Sequence, residues 1–198
     1  MFIIGLTGGV ASGKTTATNY FLSKGIEIID ADEISRSFQM KGTEGYQKII
    51  KQFGKEILNA DESINRKMLR KLAFKNEANK KWLEDLMHPM IQKEVLTRLE
   101  NVQSTWCIYS APLWSTKHKF NRTLVIDAPE HIQLSRISER DGCSDEIARS
   151  IINKQISRQE RNCFASDFIM NDGSLDVFQK KLDFYYKLYT DLANEQKN

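Results

Sequence analysis

The feature that most constrains this chain is the stretch "IIGLTGGVASGKTT" near its start. Gly8 is followed by four residues and then Gly13-Lys14-Thr15, the pattern G-x-x-x-x-G-K-[ST]. A short apolar run, Phe2 to Leu6, precedes it and reads as a buried strand. Gly8, Gly9 and Gly13 free the backbone for unusual conformations and close approach. This is a phosphate-binding P-loop, in which backbone N–H groups cradle anionic oxygens. Lys14 is expected to reach the β- and γ-phosphates, and Thr15 to place its hydroxyl on Mg²⁺. A helix over residues 16–24 would present its N-terminus to the phosphates. A chain built on this loop is committed to an α/β fold that binds a nucleotide.

Five apolar runs read as strands: "FIIGL", "IEIID", "WCIYS", "TLVID" and "DFIM". Helical patterns separate them, which predicts βαβ units and a five-stranded parallel sheet. The 198-residue length suits one α/β domain with a sizeable insertion. The insertion falls at 34–103, since a structureless loop of that length is not expected in a compact domain. Its helical stretches are "TEGYQKIIKQFG", "NRKMLRKLAF" and "NKKWLEDLMHPMIQKEVLTRL". Residues 1–33 and 104–198 form the expected core. The insertion carries 14 Lys+Arg against 9 Asp+Glu and the rest 15 against 17, so the basic excess lies in the insertion. That excess is either a solvated helical surface or a wall attracting an anionic substrate. Within "LDVFQKKLDFYYKLYTDL", Phe178, Leu182, Tyr185, Tyr189 and Leu192 share one helical face and are expected in the core.

Composition excludes several classes. A net charge of +3 does not indicate bulk nucleic-acid binding. No apolar run reaches the roughly 20 residues that span a bilayer, and a first strand at Phe2 leaves no room for a signal peptide. Cys107, Cys143 and Cys163 fit neither a disulfide framework nor a zinc site, and point to a reducing cytoplasmic setting. A GTPase-type switch is disfavoured, because neither Asn-Lys-x-Asp nor Asp-x-x-Gly occurs.

Two further constellations carry chemistry. The second strand ends in Asp30-Ala31-Asp32, and ligands of open parallel sheets bind beyond the strands' carboxyl ends. Asp32 can accept a proton from an attacking hydroxyl or cap the helix that follows; Asp30 can contact substrate or organise the turn. Downstream, Arg136 and Arg140 are four apart, and Arg158 and Arg161 three apart, so each pair shares a helical face. A helix is expected from Ser144 to Ser157. The segment at about 136–162 reads as an arginine-bearing lid that closes over a nucleotide and excludes water; ion pairing with Glu139, Asp141 and Glu160 is the plainer alternative. Asn171 to Gly173 form a turn that could border the nucleotide base. Asp127, at the end of "TLVID", is expected to be structural.

Taken together these pieces resemble the dephospho-coenzyme A kinase family. The resemblance rests on "GLTGGVASGKTT", "GIEIIDADEISR", Phe53-Gly54, "LEDLMHPMIQ", Ala111-Pro112-Leu113, "RISERD", Gln155 to Arg158 and "ASDFIMNDG", in family order over nearly the whole chain. It implies a P-loop kinase core with a helical insertion that binds CoA, and ATP- and Mg²⁺-dependent phosphorylation of the ribose 3′-hydroxyl of dephospho-CoA. Another small-molecule P-loop kinase and a non-catalytic nucleotide-binding module are the alternatives. The resemblance also implies Gly9, Val10, Ala11, Ser12, Gly13, Lys14, Thr15 and Thr16 as the ATP-phosphate site, with Asp32 as general base. By the same likeness Arg140 lies near adenine and Arg136 and Arg158 face phosphates. Asn171 and Gly173 border the nucleotide, and Asp30, His88, Pro112 and Leu113 are candidate substrate contacts. Read from the residues alone, His88 is a satisfied structural histidine, and Pro89 should kink or restart its helix. One departure stands out: the family carries an acidic residue shortly after Pro-Leu-Leu, and here the run is "APLWSTKHKF". A monomer or weak homo-oligomer is expected.

Overall fold

A computed structural model of the chain describes residues 1–111 and 119–196. Two compact units are present: Met1–Ile29 with Val102–Asn198, and Asp30–Asn101.

The first unit is built on a five-stranded parallel sheet. Its strands are β1 (Phe2–Gly8), β2 (Glu27–Asp30), β3 (Trp106–Ser110), β4 (Arg122–Asp127) and β5 (Asp167–Met170). The order is β2-β3-β1-β4-β5, so all five runs expected from the sequence are strands. β1 lies in the centre, pairing with β3 from Phe2↔Trp106 to Leu6↔Ser110 and with β4 from Ile4↔Arg122 to Gly8↔Ile126. The connections diverge on either side of β1, and such a reversal opens a ligand crevice beyond the carboxyl ends of the strands.

Five helices belong to this unit: α1 (Lys14–Ser23), α6 (Glu130–Asp141), α7 (Asp145–Asn153), α8 (Arg158–Cys163) and α9 (Leu175–Glu195). α1 begins two residues earlier than expected, because Gly13 takes the left-handed conformation and serves as N-cap. The helix expected from Ser144 to Ser157 ends instead at Asn153, and Ser157 opens α8 with a capping box to Glu160. The core joins Ile4, Leu6, Leu124, Ile126 and Ile169 of the sheet to Ala17 and Phe21 of α1 and Phe178, Leu182 and Tyr189 of α9. Trp106 lies edge-on to Phe21 (centroids 5.6 Å apart) and Tyr189 (5.4 Å). Its indole N–H donates to Thr190 Oγ1 at 3.1 Å, so its burial leaves no orphan donor. Asp167 is satisfied by a two-pronged Arg122 (2.6 and 2.7 Å) and by the Tyr189 hydroxyl (2.9 Å).

The second unit is helical: α2 (Ala31–Ser37), α3 (Glu44–Phe53), a 3-10 turn at Lys55–Ile57, α4 (Arg66–Ala73) and α5 (Glu77–Glu100). Tyr46, Ile49, Phe53, Ile57, Leu69 and Met87 form its core. The division falls after Ile29 rather than after residue 33, because α2 packs on α5. Pro89 does not restart the helix: α5 runs through it for 24 residues. Asp85, whose carbonyl loses its i+4 donor at Pro89, is exposed like Pro89 itself, so water can replace the missing bond.

Phe21 is fully buried against Trp106. Phe21→Ala is expected to cost about 3–5 kcal/mol, read as a lowered urea midpoint with an unchanged slope.

Candidate functional site

The loop that leaves β1 turns tightly at residues 9–12, with the Ser12 N–H donating to the Gly9 carbonyl at 3.1 Å. Of the three glycines, only Gly13 has a positive φ, at 103°. Ala11, not a glycine, takes the other left-handed position, at φ 55°, a conformation that costs an L-residue about 1–2 kcal/mol. Gly8 and Gly9 are needed instead for close approach to protein atoms. A Cβ on Gly8 would lie 2.6 Å from both the Ile126 carbonyl and Ser12 Oγ; one on Gly9 would lie 2.6 Å from both Arg161 Nη1 and Gln133 Nε2.

Three consecutive carbonyls of this loop are each held by a side chain. Gln133 Nε2 donates to Val10 O at 2.6 Å, Arg136 Nη1 to Ala11 O at 3.1 Å, and Asn171 Nδ2 to Ser12 O at 2.8 Å. In a planar trans peptide the N–H points opposite to the C=O. Holding these carbonyls therefore turns the Ala11 and Gly13 N–H groups the other way, toward the hollow of the loop. The Val10 N–H is fixed by Gln155 Oε1 at 2.9 Å. Val10 and Ala11 also pack on the apolar faces of α6 and α7, against Leu134, Ile137 and Ala148.

α1 then starts with no side-chain cap and no acidic residue in its first turn. α3, α4, α5, α7 and α9, by contrast, are capped by Thr43, Asn65, Asn76, Ser144 and Ser174. The N–H groups of Lys14, Thr15 and Thr16, uncapped by any side chain, and the positive end of the helix dipole are the features an anion site requires. Lys14 is its first helical residue and is half-buried. Thr15 is exposed, and among the described residues its hydroxyl has no hydrogen-bond partner.

A charged cluster lies beside the loop. Asp127, the last residue of β4, is fully buried and accepts from Arg158 Nε at 2.5 Å. Arg161, 3% exposed, sits with Nη1 4.0 Å from Asp127 Oδ1 and donates through Nη2 to Ile156 O at 3.1 Å. Desolvation lowers the pKa of this guanidinium, opposed by the charge of Asp127. Asp127 is thus more than a strand terminator.

The remaining expected site residues are distributed unevenly. Arg136 is committed to the loop, its Nη2 also reaching the Asn171 carbonyl at 3.4 Å. Asn171 is buried and its amide is spent on Ser12, so it braces the loop rather than standing open to a base. Gly173 is exposed, with room for a Cβ. Arg140 is exposed and forms a two-pronged pair with Asp141 at 2.7 and 2.8 Å, the plainer alternative for that residue. In the helical unit Asp30, not Asp32, caps α2, accepting from the N–H groups of Asp32 (2.9 Å) and Glu33 (3.0 Å). Asp32 is left exposed, with no hydrogen bond to its carboxylate among the described residues. His88 is exposed as well and has no partner among them, so it is not the satisfied structural histidine its sequence setting suggested. Pro112, Leu113 and the rest of the "PLWSTKH" departure lie outside the described residues. Gln133 escaped the sequence reading; its one signal is its place three residues before Arg136 on the same helical face.

Known proteins resemble this chain over nearly its whole length. A family model described as dephospho-CoA kinase matches residues 2–176. A dephospho-CoA kinase of Pseudoalteromonas translucida is 40% identical over 195 residues, covering 97% of this chain and 93% of the relative. One from Coxiella burnetii is 36% identical over 197 residues, covering 98% and 99%. Among solved structures, dephospho-CoA kinase from Campylobacter jejuni superposes with a TM-score of 0.63 at 27% identity, covering 94% of this chain and 96% of that one. A Thermus thermophilus protein shares the fold at a TM-score of 0.78 and 23% identity, covering 94% and 96%.

Gly9→Ala is expected to displace Arg161 or Gln133 and weaken ADP binding at least about tenfold, or ~1.4 kcal/mol. Gly173→Ala, whose Cβ would meet nothing nearer than Val177 Cγ1 at 3.6 Å, should leave binding unchanged. Calorimetric titration with ADP checks both.

Proposed function

This chain belongs to the dephospho-CoA kinase family, ATP-dependent phosphotransferases of the final step of CoA biosynthesis, and from that premise we propose how its residues divide the reaction. The acceptor is the ribose 3′-hydroxyl of dephospho-CoA. The observation that carries the reading is an uncapped α1 preceded by a loop whose Val10, Ala11 and Ser12 carbonyls are each held by a side chain from outside it.

The N–H groups of Ala11, Gly13, Lys14, Thr15 and Thr16 cradle the phosphates of ATP, and Lys14 reaches their outer oxygens. Phosphoryl transfer asks for positioning and charge more than for covalent help, and this loop supplies both without reorganising. Gln133, Arg136 and Asn171 keep it set. Arg158 offers its terminal nitrogens to the phosphates, and Arg140 exchanges Asp141 for the adenine side of the nucleotide. The Arg140–Asp141 pair is exposed and screened by water, so that exchange is cheap. Residues 136–162 act as the lid and the helical unit as the substrate-binding insertion.

Asp32 orients or deprotonates the acceptor hydroxyl. Support comes from the division of labour in its turn: Asp30 satisfies the helix N-terminus and leaves the Asp32 carboxylate unengaged. The exposed His88 is a candidate substrate contact on the helical unit.

Mg²⁺ fits the residues present. No group of three His, Cys, Asp or Glu side chains among the described residues could hold a metal. Mg²⁺ in phosphoryl-transfer sites takes few protein ligands and keeps phosphates and waters, and the unpartnered Thr15 hydroxyl suits that. When bound, the ion would neutralise charge on the phosphates. No helix among the described residues is long and apolar enough to cross a membrane; the proposed setting is the cytoplasm, as a monomer or weak homo-oligomer.

A coupled ADP-release assay with ATP, Mg²⁺ and dephospho-CoA tests the reading. Lys14→Ala and Asp32→Asn should each reduce turnover at least about tenfold, ~1.4 kcal/mol of barrier. Asp32→Asn should retain wild-type ADP binding. Wild-type turnover in Asp32→Asn would remove the base assignment. Turnover of shikimate or a nucleoside monophosphate in place of dephospho-CoA would reassign the acceptor.

A further inference from the structure

The sheet unit contains two buried carboxylates paired with arginine, and they are used differently. Asp167 receives Arg122 in the two-pronged mode, Nε and Nη2 on its two oxygens at 2.6 and 2.7 Å. That geometry spends the guanidinium entirely on stability. Asp127 is fully buried, yet it receives Arg158 through Nε alone at 2.5 Å. Its other oxygen, Oδ1, accepts no hydrogen bond among the described residues. A buried carboxylate oxygen left without a donor is costly, so this side-on arrangement is not the one that packing alone would select.

We infer that Asp127 is a positioning residue for phosphoryl transfer, gripping Arg158 by its Nε so that the paired terminal nitrogens stay free for the phosphates of the nucleotide, with buried Arg161 supplying the counter-charge to its second oxygen. The inference rests on ATP lying in the loop after β1, as proposed above.

The surroundings support each part. The Arg158 side chain is 45% exposed, and among the described residues its terminal nitrogens make only a long contact, Nη2 to Met170 Sδ at 3.7 Å. The segment bearing it is fastened to the phosphate loop at both ends. Gln155 accepts from the Val10 N–H, and Arg161 lies so close to Gly9 that no Cβ fits between them. Arg158 therefore starts from a frame fixed to the loop. Arg161 cannot substitute for it. It is buried, one of its nitrogens is held by Ile156 O, and its Nε and Nη1 have no hydrogen-bond acceptor. Its remaining use is charge: Nη1 stands 4.0 Å from Asp127 Oδ1. Burial lowers its pKa, against the pull of Asp127, but a guanidinium keeps its proton in a protein, so the charge facing Asp127 persists.

The test compares Arg158→Lys, Asp127→Asn and the double variant. The measurements are binding of a non-hydrolysable ATP analogue, KM for each substrate, turnover and thermal midpoint. A lysine keeps the charge and leaves Asp127–Arg161 untouched, but its single ammonium cannot serve the carboxylate and the phosphates together. Arg158→Lys should weaken analogue binding and raise KM for ATP at least about tenfold, with KM for dephospho-CoA and the thermal midpoint near wild type. Asp127→Asn should raise KM for ATP to a similar degree, and the double variant should be no worse than about twofold beyond the weaker single, as expected of residues acting through one contact. Multiplying effects, or an Asp127→Asn that lowers only the thermal midpoint, would overturn the inference. If Asp127→Asn does not fold, Arg158→Lys against Arg158→Met decides: equal losses support the side-on role, and wild-type affinity in Arg158→Lys refutes it. A wild-type protein that binds the analogue but leaves dephospho-CoA unmodified would sink the acceptor assignment and not this one.

Discussion

The orientation of three peptide planes, from Val10 to Gly13, is the constraint on which the proposed phosphate site depends. A glycine-rich loop has no inherent reason to point its N–H groups inward, since glycine allows many orientations at similar cost. Here the choice is made from outside. Gln133 and Arg136 on α6 and Asn171 after β5 each take one carbonyl, and planarity turns the adjoining N–H groups the opposite way. The clamp residues come from elements that pack on the same sheet. The order β1-β4-β5 places Asn171 within reach of the loop and fixes its own backbone, whose N–H donates to the Asp127 carbonyl at 2.7 Å. Sheet order thereby becomes electrostatics: donors are already aimed where phosphate charge would be, and little reorganisation remains for the moment of reaction.

The same logic explains which helix ends are finished and which are left open. Serine, threonine or asparagine closes α3, α4, α5, α7 and α9, while α6 starts after Pro129 without a side-chain cap but with Glu130 in its first turn. α1 ends on a left-handed glycine with nothing to accept its first N–H groups. Leaving that terminus open costs stability in the empty protein, and Ala11 adds local strain at φ 55°. Both costs sit at one turn, where an anion would recover them. In the helical unit the reverse choice is made: Asp30 closes α2 twice over, and the next carboxylate, Asp32, has no structural duty among the described residues.

Much of this was legible in the sequence, for reasons that can be named. The five strands are apolar runs bounded by turn residues; burial and pattern coincide most fully in the three inner strands, and the edge strands β2 and β5 keep enough of the pattern to be read. The P-loop is a local motif whose function depends on spacing, so it survives without tertiary knowledge. What failed to show depends on long-range contact. Nothing near Gln133 announces a partner 123 residues away. Asp127 looks like any strand end until Arg158 and Arg161 arrive from beyond α7. Gly8 and Gly9 were readable as flexible, but their need is steric, set by Ile126, Gln133 and Arg161. His88 and Pro89 went astray for a different reason. Their meaning depends on which face of α5 meets solvent, and both are on the exposed side.

The four arginines Arg136, Arg140, Arg158 and Arg161 of α6 and α8 form a graded series, and the grading separates what can move from what cannot. Arg161 is buried and hemmed in by Gly9 and Asp127, so displacing it would strand a charge in the interior. Arg136 holds two backbone carbonyls and cannot leave without releasing a peptide plane. Arg158 is bound on one edge only, and Arg140 is tied to a surface aspartate whose attraction water largely screens. Commitment therefore falls from the sheet outward along α8 and α6. In the proposed nucleotide complex Arg161 and Arg136 would keep their protein partners, Arg158 would keep its Nε on Asp127, and Arg140 alone would be free to swing. The proposed closure would then need only the outer side chains to reorient, while the peptide planes from Val10 to Gly13 stay where the sheet has put them.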